Sequence, residues 1–355
     1  MDESPLHLRV DFIDNLFEDL GAFFACPEND EIILACGGEI NDWLQEEADI
    51  PPNVFYFTTF YNKQIHIYTP STILKVKREV LINSLVKYQS CQNRLSPLNN
   101  YDSLFVNDFQ SFRRMPEVDL KKVVLCSRED FHVTEKNNQK LRTLWRSLIV
   151  PNSYAYGIWA ANHGLIGATP ELLFEVAGNK LETFALAGTA KKENAEQLMH
   201  SEKDRLEHQF VVDDIFEKIS ELNYSPSVGE TGLASYGRMV HLKTPLSVQH
   251  VGNLNLSLII SKLSPTAALS GYPSALSLQA LSQNSYGRKF PDRIFGGCFG
   301  FSGAEKKCVV MIRNVQWKED LFFIETGAGI IHSSVLEKEL SEIQFKRQVV
   351  RELLV

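Results

Sequence analysis

The spacing of apolar residues changes character along this chain. Residues 8–25 place Phe12, Leu16 and Phe23 at helical intervals and predict an amphipathic helix. Short runs rich in β-branched and aromatic residues follow: EIILACGG, VFYFTTFYN and KQIHIYTP, each predicting a strand. Residues 72–93 predict a second helix with Ser71 as its cap, and 94–117, rich in Asn, Ser and Pro, predicts a long surface connection.

From Val118 onward the pattern is one of strands and tight turns. DLKKVVLCS reads as one strand; SYAYGIWA and LIGATPELLFEV flank the turn Asn162-His163-Gly164, and LETFALAG follows the turn at Gly178-Asn179-Lys180. A helix is expected over 195–222, then the strand region MVHLKTPLSVQHVG, a helix near 273–285, and a meander of RIFGGCFGFS, KCVVMIRNVQW and DLFFIET. The last helix, 335–354, turns Leu336, Leu340, Ile343, Val350 and Leu354 toward an apolar side and Glu339, Glu342 and Lys346 toward another. Many antiparallel strands covered by helices make an α+β protein. No internal repeat interrupts the chain.

Composition narrows the function classes. The 355 residues are 44% hydrophobic and 23% charged, enough for one large domain with a core that needs no staples. A net charge of −8 without a Lys/Arg block excludes nucleic acid as a partner. No run reaches the 18 apolar residues of a membrane span, and the N-terminal MDESPLHLRVDF lacks the basic and apolar regions of a signal peptide. The six cysteines (Cys26, Cys36, Cys91, Cys126, Cys298, Cys308) show no CxxC pair and read as free thiols, so a cytoplasmic protein is expected.

The chemistry is suggested by two acidic helices far apart in sequence, each beside a glycine turn. SEKDRLEH follows Leu186-Ala187-Gly188-Thr189-Ala190, and ELSEIQFK follows Gly327-Ala328-Gly329-Ile330. Carboxylates on two converging helices can hold one hard cation such as Mg²⁺ with positions left for substrate oxygens. Glycine turns let backbone N–H groups approach an anion closely.

The ordered segments KDRLEHQFVVDDI, LSPTAALSGYP, RIFGGCFGF, VVMIR, ETGAGII and EKELSEIQFK resemble the chorismate-utilising enzymes over roughly Val118 to Val355. That family comprises isochorismate, salicylate, anthranilate and aminodeoxychorismate synthases. The resemblance implies one chorismate-binding domain over 1–355, with 1–117 a weakly matching part and 118–355 carrying the motifs. It further implies a large antiparallel β-sandwich with helices packed outside and the active site between the sheets. Residue by residue, it implies Glu207 and Glu342 as Mg²⁺ ligands with Glu339 acting through water, Glu171 as general acid, and Lys122 as the base that activates water. Arg313 would meet a substrate carboxylate, and Lys346 would also contact the substrate. Gly188, Thr189, His250, Ala328 and Gly329 would supply further contacts, with Leu269 and Phe295 as pocket residues.

Strand periodicity leaves the base ambiguous. Lys122 shares a face with Leu120 and Val124, whereas Lys121 shares one with Val123 and Leu125. The chain departs from the family's His-Pro-Thr-Pro-Ala at Ser264-Pro265-Thr266-Ala267-Ala268 and lacks a Trp between the two helical glutamates. Within the family the branch expected is isochorismate synthase, serving menaquinone or siderophore biosynthesis, as a monomer or homodimer without an amidotransferase subunit. The alternatives are salicylate synthase, an anthranilate or aminodeoxychorismate synthase component, and a non-catalytic chorismate-binding regulator.

Overall fold

The computed structural model describes residues 10–43, 49–62, 64–89, 95–115, 120–249, 251–252 and 254–355. Two ten-stranded antiparallel sheets dominate it. In the first, Lys122–Val133 pairs with Leu321–Ile330, and the sheet continues through Asn314–Lys318, His163–Thr169, Tyr154–Ala160 and Gly21–Ala25 to Glu31–Cys36 and Thr72–Lys77. In the second, Met239–Gln249, Lys180–Lys191, Leu172–Ala177, Lys306–Val310 and Cys298–Ser302 lead to Phe55–Thr58, Ile65–Thr69 and Glu39–Trp43.

The sheets face one another, and successive side chains divide between two cores. Phe24, Ile158 and Leu165 from the first sheet meet Leu172, Leu186, Phe299 and Val309 from the second. Their strand neighbours Phe23, Trp159 and Ile166 point the other way, under Leu141, Leu144 and Leu148 of the helix Lys136–Leu148. On the outside of the second sheet, Leu173, Ala185 and Val248 lie beneath Val211 and Ile215 of the helix Glu202–Ser220 and Ile259 of Leu256–Leu263. This is the expected α+β sandwich with external helices. Each large apolar side chain so enclosed contributes about 1.5–3 kcal/mol.

Several local expectations give way to this two-sided burial. Among the described residues of the predicted 8–25 helix, Val10–Asp14 is helical, and Gly21–Ala25 is a strand buried along its whole length. Of 72–93, Thr72–Lys77 is an edge strand, and the helix begins at Arg78 and ends at Leu85. The predicted connection 94–117 contains the strand Leu95–Asn100 and the helix Asp102–Phe112, whose Phe105, Phe109 and Phe112 are buried. The helix expected over 195–222 breaks at Ser201, whose hydroxyl accepts the Asp204 backbone N–H at 3.3 Å and caps Glu202–Ser220. Five of the cysteines are free; Cys91 lies outside the described residues. No helix among the described residues is long and apolar enough to cross a membrane.

Candidate active site

Two places where the chain passes from one sheet to the other create the site. After His163–Thr169 in the first sheet, Pro170 cannot donate to a ladder, and the chain crosses to Leu172–Ala177 in the second. After Lys306–Val310 in the second sheet it returns to Asn314–Lys318 in the first, through Arg313 at a left-handed φ of 53°. The crossings brace each other: the Ala168 N–H donates to the Arg313 carbonyl at 3.2 Å and the Val310 N–H to the Glu171 carbonyl at 3.0 Å. Glu171 and Arg313 therefore both lie between the sheets.

Glu171 is 4% exposed, and one oxygen accepts the Thr266 hydroxyl at 3.1 Å. Burial pushes its carboxyl up to about 7, against the opposing pull of Thr266, Lys122 and Arg313. Thr266 is a contact that the sequence pattern did not identify.

Gly188 is not in a turn. It is the extra residue of a β-bulge inside Lys180–Lys191, between Ala187 opposite Leu242 and Thr189 opposite His241, with φ of 68°. The bulge turns the Gly188 carbonyl toward His241 Nδ1 at 2.9 Å, with Thr189 Oγ1 at 3.2 Å from the same nitrogen. A carbonyl can only accept, so Nδ1 carries the proton and Nε2 accepts from Arg313 Nη2 at 2.7 Å. Burial, then Arg313 and Lys346, hold His241 well below the ordinary histidine range, so the ring is neutral. Among the described residues, the histidine that lines the recess is His241, a polar residue within an apolar strand. His250, the one singled out from sequence, lies outside the described residues.

The second glycine segment, Gly327-Ala328-Gly329-Ile330, is also strand rather than turn, the end of Leu321–Ile330. Gly329 pairs with Val124, and a Cβ there would lie 2.0 Å from Glu207 Oε1 and 2.9 Å from Lys122 Cε. Only glycine lets these two side chains meet. Lys122 is fully buried, its Nζ 3.2 Å from Glu207 Oε1 but without hydrogen-bond geometry, whereas Lys121 is exposed. Of the two lysines, Lys122 faces inward. Burial lowers its pKa although Glu207 opposes the change.

The Ala328 side chain belongs to the core cluster that holds Ile330 and Ile343, so any contact of this residue with a ligand would be through its backbone. The recess opens to solvent, with Glu171, Glu207, His241, Arg313, Glu342 and Lys346 around it. Ala268, Leu269, Phe295 and Ile312 form its apolar wall, and Gly188, Thr189 and Gly329 also line it.

Carboxylates crowd one side. Lys203 Nζ lies 3.2 Å from Glu207 Oε2 and 3.1 Å from Glu339 Oε1, and Lys346 Nζ 2.7 Å from Glu342 Oε1 and 2.8 Å from the Gly327 carbonyl. Burial would raise Glu207, but Lys122, Lys203 and Lys346 overcome it and hold the group at about 2. Glu339 behaves oppositely. Burial, together with Glu342 and Glu207, pushes it to about 7 despite Lys203. Among the described residues no three His, Cys, Asp or Glu side chains are drawn together as a ready metal cage, because lysines hold the carboxylates instead. The donor set is nevertheless all oxygen, with Glu207 on one helix and Glu339 and Glu342 on another, Glu207 and Glu339 meeting on one ammonium, so these residues fit a hard divalent cation.

Comparison with known proteins agrees with the architecture. Isochorismate synthase EntC of Escherichia coli (strain K12) is 31% identical over 196 residues, 52% of this chain and 49% of that protein. Anthranilate synthase component 1 of Acetivibrio thermocellus is 25% identical over 288 residues, 76% of this chain and 57% of that one. The chain spans about half the length of the curated relatives it matches. The solved structure of MenF, the menaquinone-specific isochorismate synthase from Escherichia coli, shares the fold with a TM-score of 0.79 over 100% of this chain and 92% of that one, at 17% identity. The family model "Chorismate binding enzyme" matches residues 85–355, and the chain belongs to that family.

Proposed function

We propose that the chain is a Mg²⁺-dependent isochorismate synthase, which adds water at C2 of chorismate as the C4 hydroxyl leaves. The observation that carries the reading is Glu171, a carboxyl held at about 7 in the recess, with the inward Lys122, its pKa lowered by burial, lying behind Gly329 of the recess wall. Neutral Lys122 takes a proton from water as its oxygen bonds to C2. Protonated Glu171 gives a proton to the C4 oxygen as that bond breaks. One water enters and one leaves, so the product is an isomer of the substrate and no other reactant is needed. Arg313, fixed by His241, offers a planar fork to a substrate carboxylate. Mg²⁺ held by Glu207 and Glu342, with Glu339 behind them, would neutralise the other carboxylate and help orient the ring.

Incubation of the pure protein with chorismate and Mg²⁺, resolved by chromatography, tests this reading. Isochorismate as product supports it. Salicylate with pyruvate would move the protein to salicylate synthase, and unchanged chorismate to a binding regulator. The likeness to anthranilate synthase component 1 favours one rival, amination at the same carbon. An arm in ammonium buffer addresses it, with isochorismate still expected and no aminated product.

Glu171→Gln should lower kcat by about 10² to 10⁴, the usual loss for a positioned acid. KM should move less, since the carboxyl serves the departing hydroxyl. Wild-type activity should fall above about pH 7 as Glu171 ionises, and this alkaline fall should be missing from the residual activity of the variant. The substitution should affect stability in the opposite sense to activity. Ionising a buried carboxyl whose pKa rises on folding disfavours the folded state, an effect absent below about pH 4.5 and complete above about 7. The variant should therefore gain up to about 3 kcal/mol over wild type at pH 8, read as a higher melting temperature.

A further inference from the structure

Lys203 occupies the place where the carboxylates converge. From the first turn of Glu202–Ser220 its ammonium spans Glu207 at 3.2 Å and Glu339 at 3.1 Å, with Asp204 at 4.0 Å. The other two cations are committed elsewhere. Lys122 is sealed behind Gly329 on the other oxygen of Glu207, and Lys346 joins Glu342 to the Gly327 carbonyl. Among the described residues, the Lys203–Glu339 pair is the ion pair that ties the helix Glu202–Ser220 to the helix Leu336–Arg351, and Glu207 shares the same ammonium.

Magnesium binds carboxylate oxygens at roughly 2.0–2.1 Å and admits no ammonium among them. A cation so small could seat between these helices only if the carboxylates moved inward and the lysine moved out. The exit exists, because the Lys203 side chain is 26% exposed whereas that of Lys122 is 1% exposed. Its stem is four carbons long and flexible. We infer that Lys203 is a displaceable counter-cation, holding the acidic helices together without metal and competing with the metal for the same carboxylates. The inference rests on the reading of Glu207, Glu339 and Glu342 as the metal's carboxylates. It predicts that metal affinity is set by a lysine that is not itself a ligand.

Direct binding of Mn²⁺ by substrate-free protein, followed by electron paramagnetic resonance, tests it without recourse to catalysis. Lys203→Gln should bind Mn²⁺ at least tenfold more tightly than wild type, and Lys203→Arg, which keeps the charge, should stay near wild type. Metal-free Lys203→Gln should melt below wild type and recover more on adding Mn²⁺. In the wild-type protein, Mg²⁺ should increase the labelling of Lys203 by an amine-acylating reagent while leaving exposed Lys121 unchanged. This arm does not depend on any variant folding. Equal or weaker Mn²⁺ binding by a folded Lys203→Gln, or Lys203 labelling that Mg²⁺ does not increase, overturns the inference and leaves the metal reading intact. Failure of wild type and Lys203→Gln alike to bind Mn²⁺ overturns both.

Discussion

Lys122→Gln should lose water addition by about 10² to 10⁴ in kcat, whereas Lys121→Gln should turn over near wild type. An amide cannot take the proton that water must lose, and the exposed Lys121 side chain does not face the recess. The pH profile adds an independent check. Water activation needs neutral lysine, so kcat/KM should fall on the acid side of the wild-type optimum, and burial sets the lysine titration below its ordinary value. Proton delivery needs protonated Glu171, so activity should also fall on the alkaline side. The two inflections belong to the pair of groups jointly. Removing Lys122 should abolish only the acid-side fall, and removing Glu171 only the alkaline one. An active Lys122→Gln beside an inactive Lys121→Gln would falsify the assignment and move the base by one residue.

This ambiguity between neighbours shows where sequence reasoning stops. In a strand with one wet face, alternation identifies the inward residue. Residues 122–126 are all buried, because helices cover one side of the sheet and the recess lies on the other, so the alternation is erased. The same physics conceals the strand Gly21–Ala25, where Phe23 and Phe24 serve opposite cores and mimic a helical run. Composition misleads differently at 94–117. Asn, Ser and Pro are frequent there, but the spacing of Phe105, Phe109 and Phe112 follows a helix period and carries the burial.

The site divides along the same line. Glu171, Glu207, Arg313, Glu342 and Lys346 were legible because ordered motifs surround them, and the structure brings all five to one recess. His241, Thr266 and Lys203 were not, for their significance is tertiary. His241 is defined by a bulge carbonyl and an arginine from another strand, Thr266 by a carboxyl 95 positions away, and Lys203 by a glutamate on the last helix. A histidine within the apolar run Met239-Val240-His241-Leu242 was the one available signal for the first. The i, i+4 spacing of Lys203 and Glu207 was the signal for the third.

Glu207→Ala and Glu342→Ala should both abolish activity if both carboxylates hold the metal, yet they should differ in stability. Were the metal the main partner of each, neither loss would disturb the fold much. The structure separates them. Glu342 is partly exposed and its partner Lys346 keeps a second contact at the Gly327 carbonyl, so its loss should cost no more than about 1 kcal/mol. Glu207 is buried and faces Lys122, which no other carboxylate approaches within ion-pair distance among the described residues. A carboxyl lowered on folding to about 2 stabilises the native state above its unfolded pKa, near 4.5, and loses that contribution as pH falls toward 2. At pH 7 the contribution is full, and its removal should cost about 3 kcal/mol, which denaturant titration would resolve. Equal midpoints for the two variants at pH 7 would show that the Lys122–Glu207 pair contributes nothing to the fold. Near-wild-type turnover in either variant at limiting Mg²⁺ would remove that glutamate from the metal site.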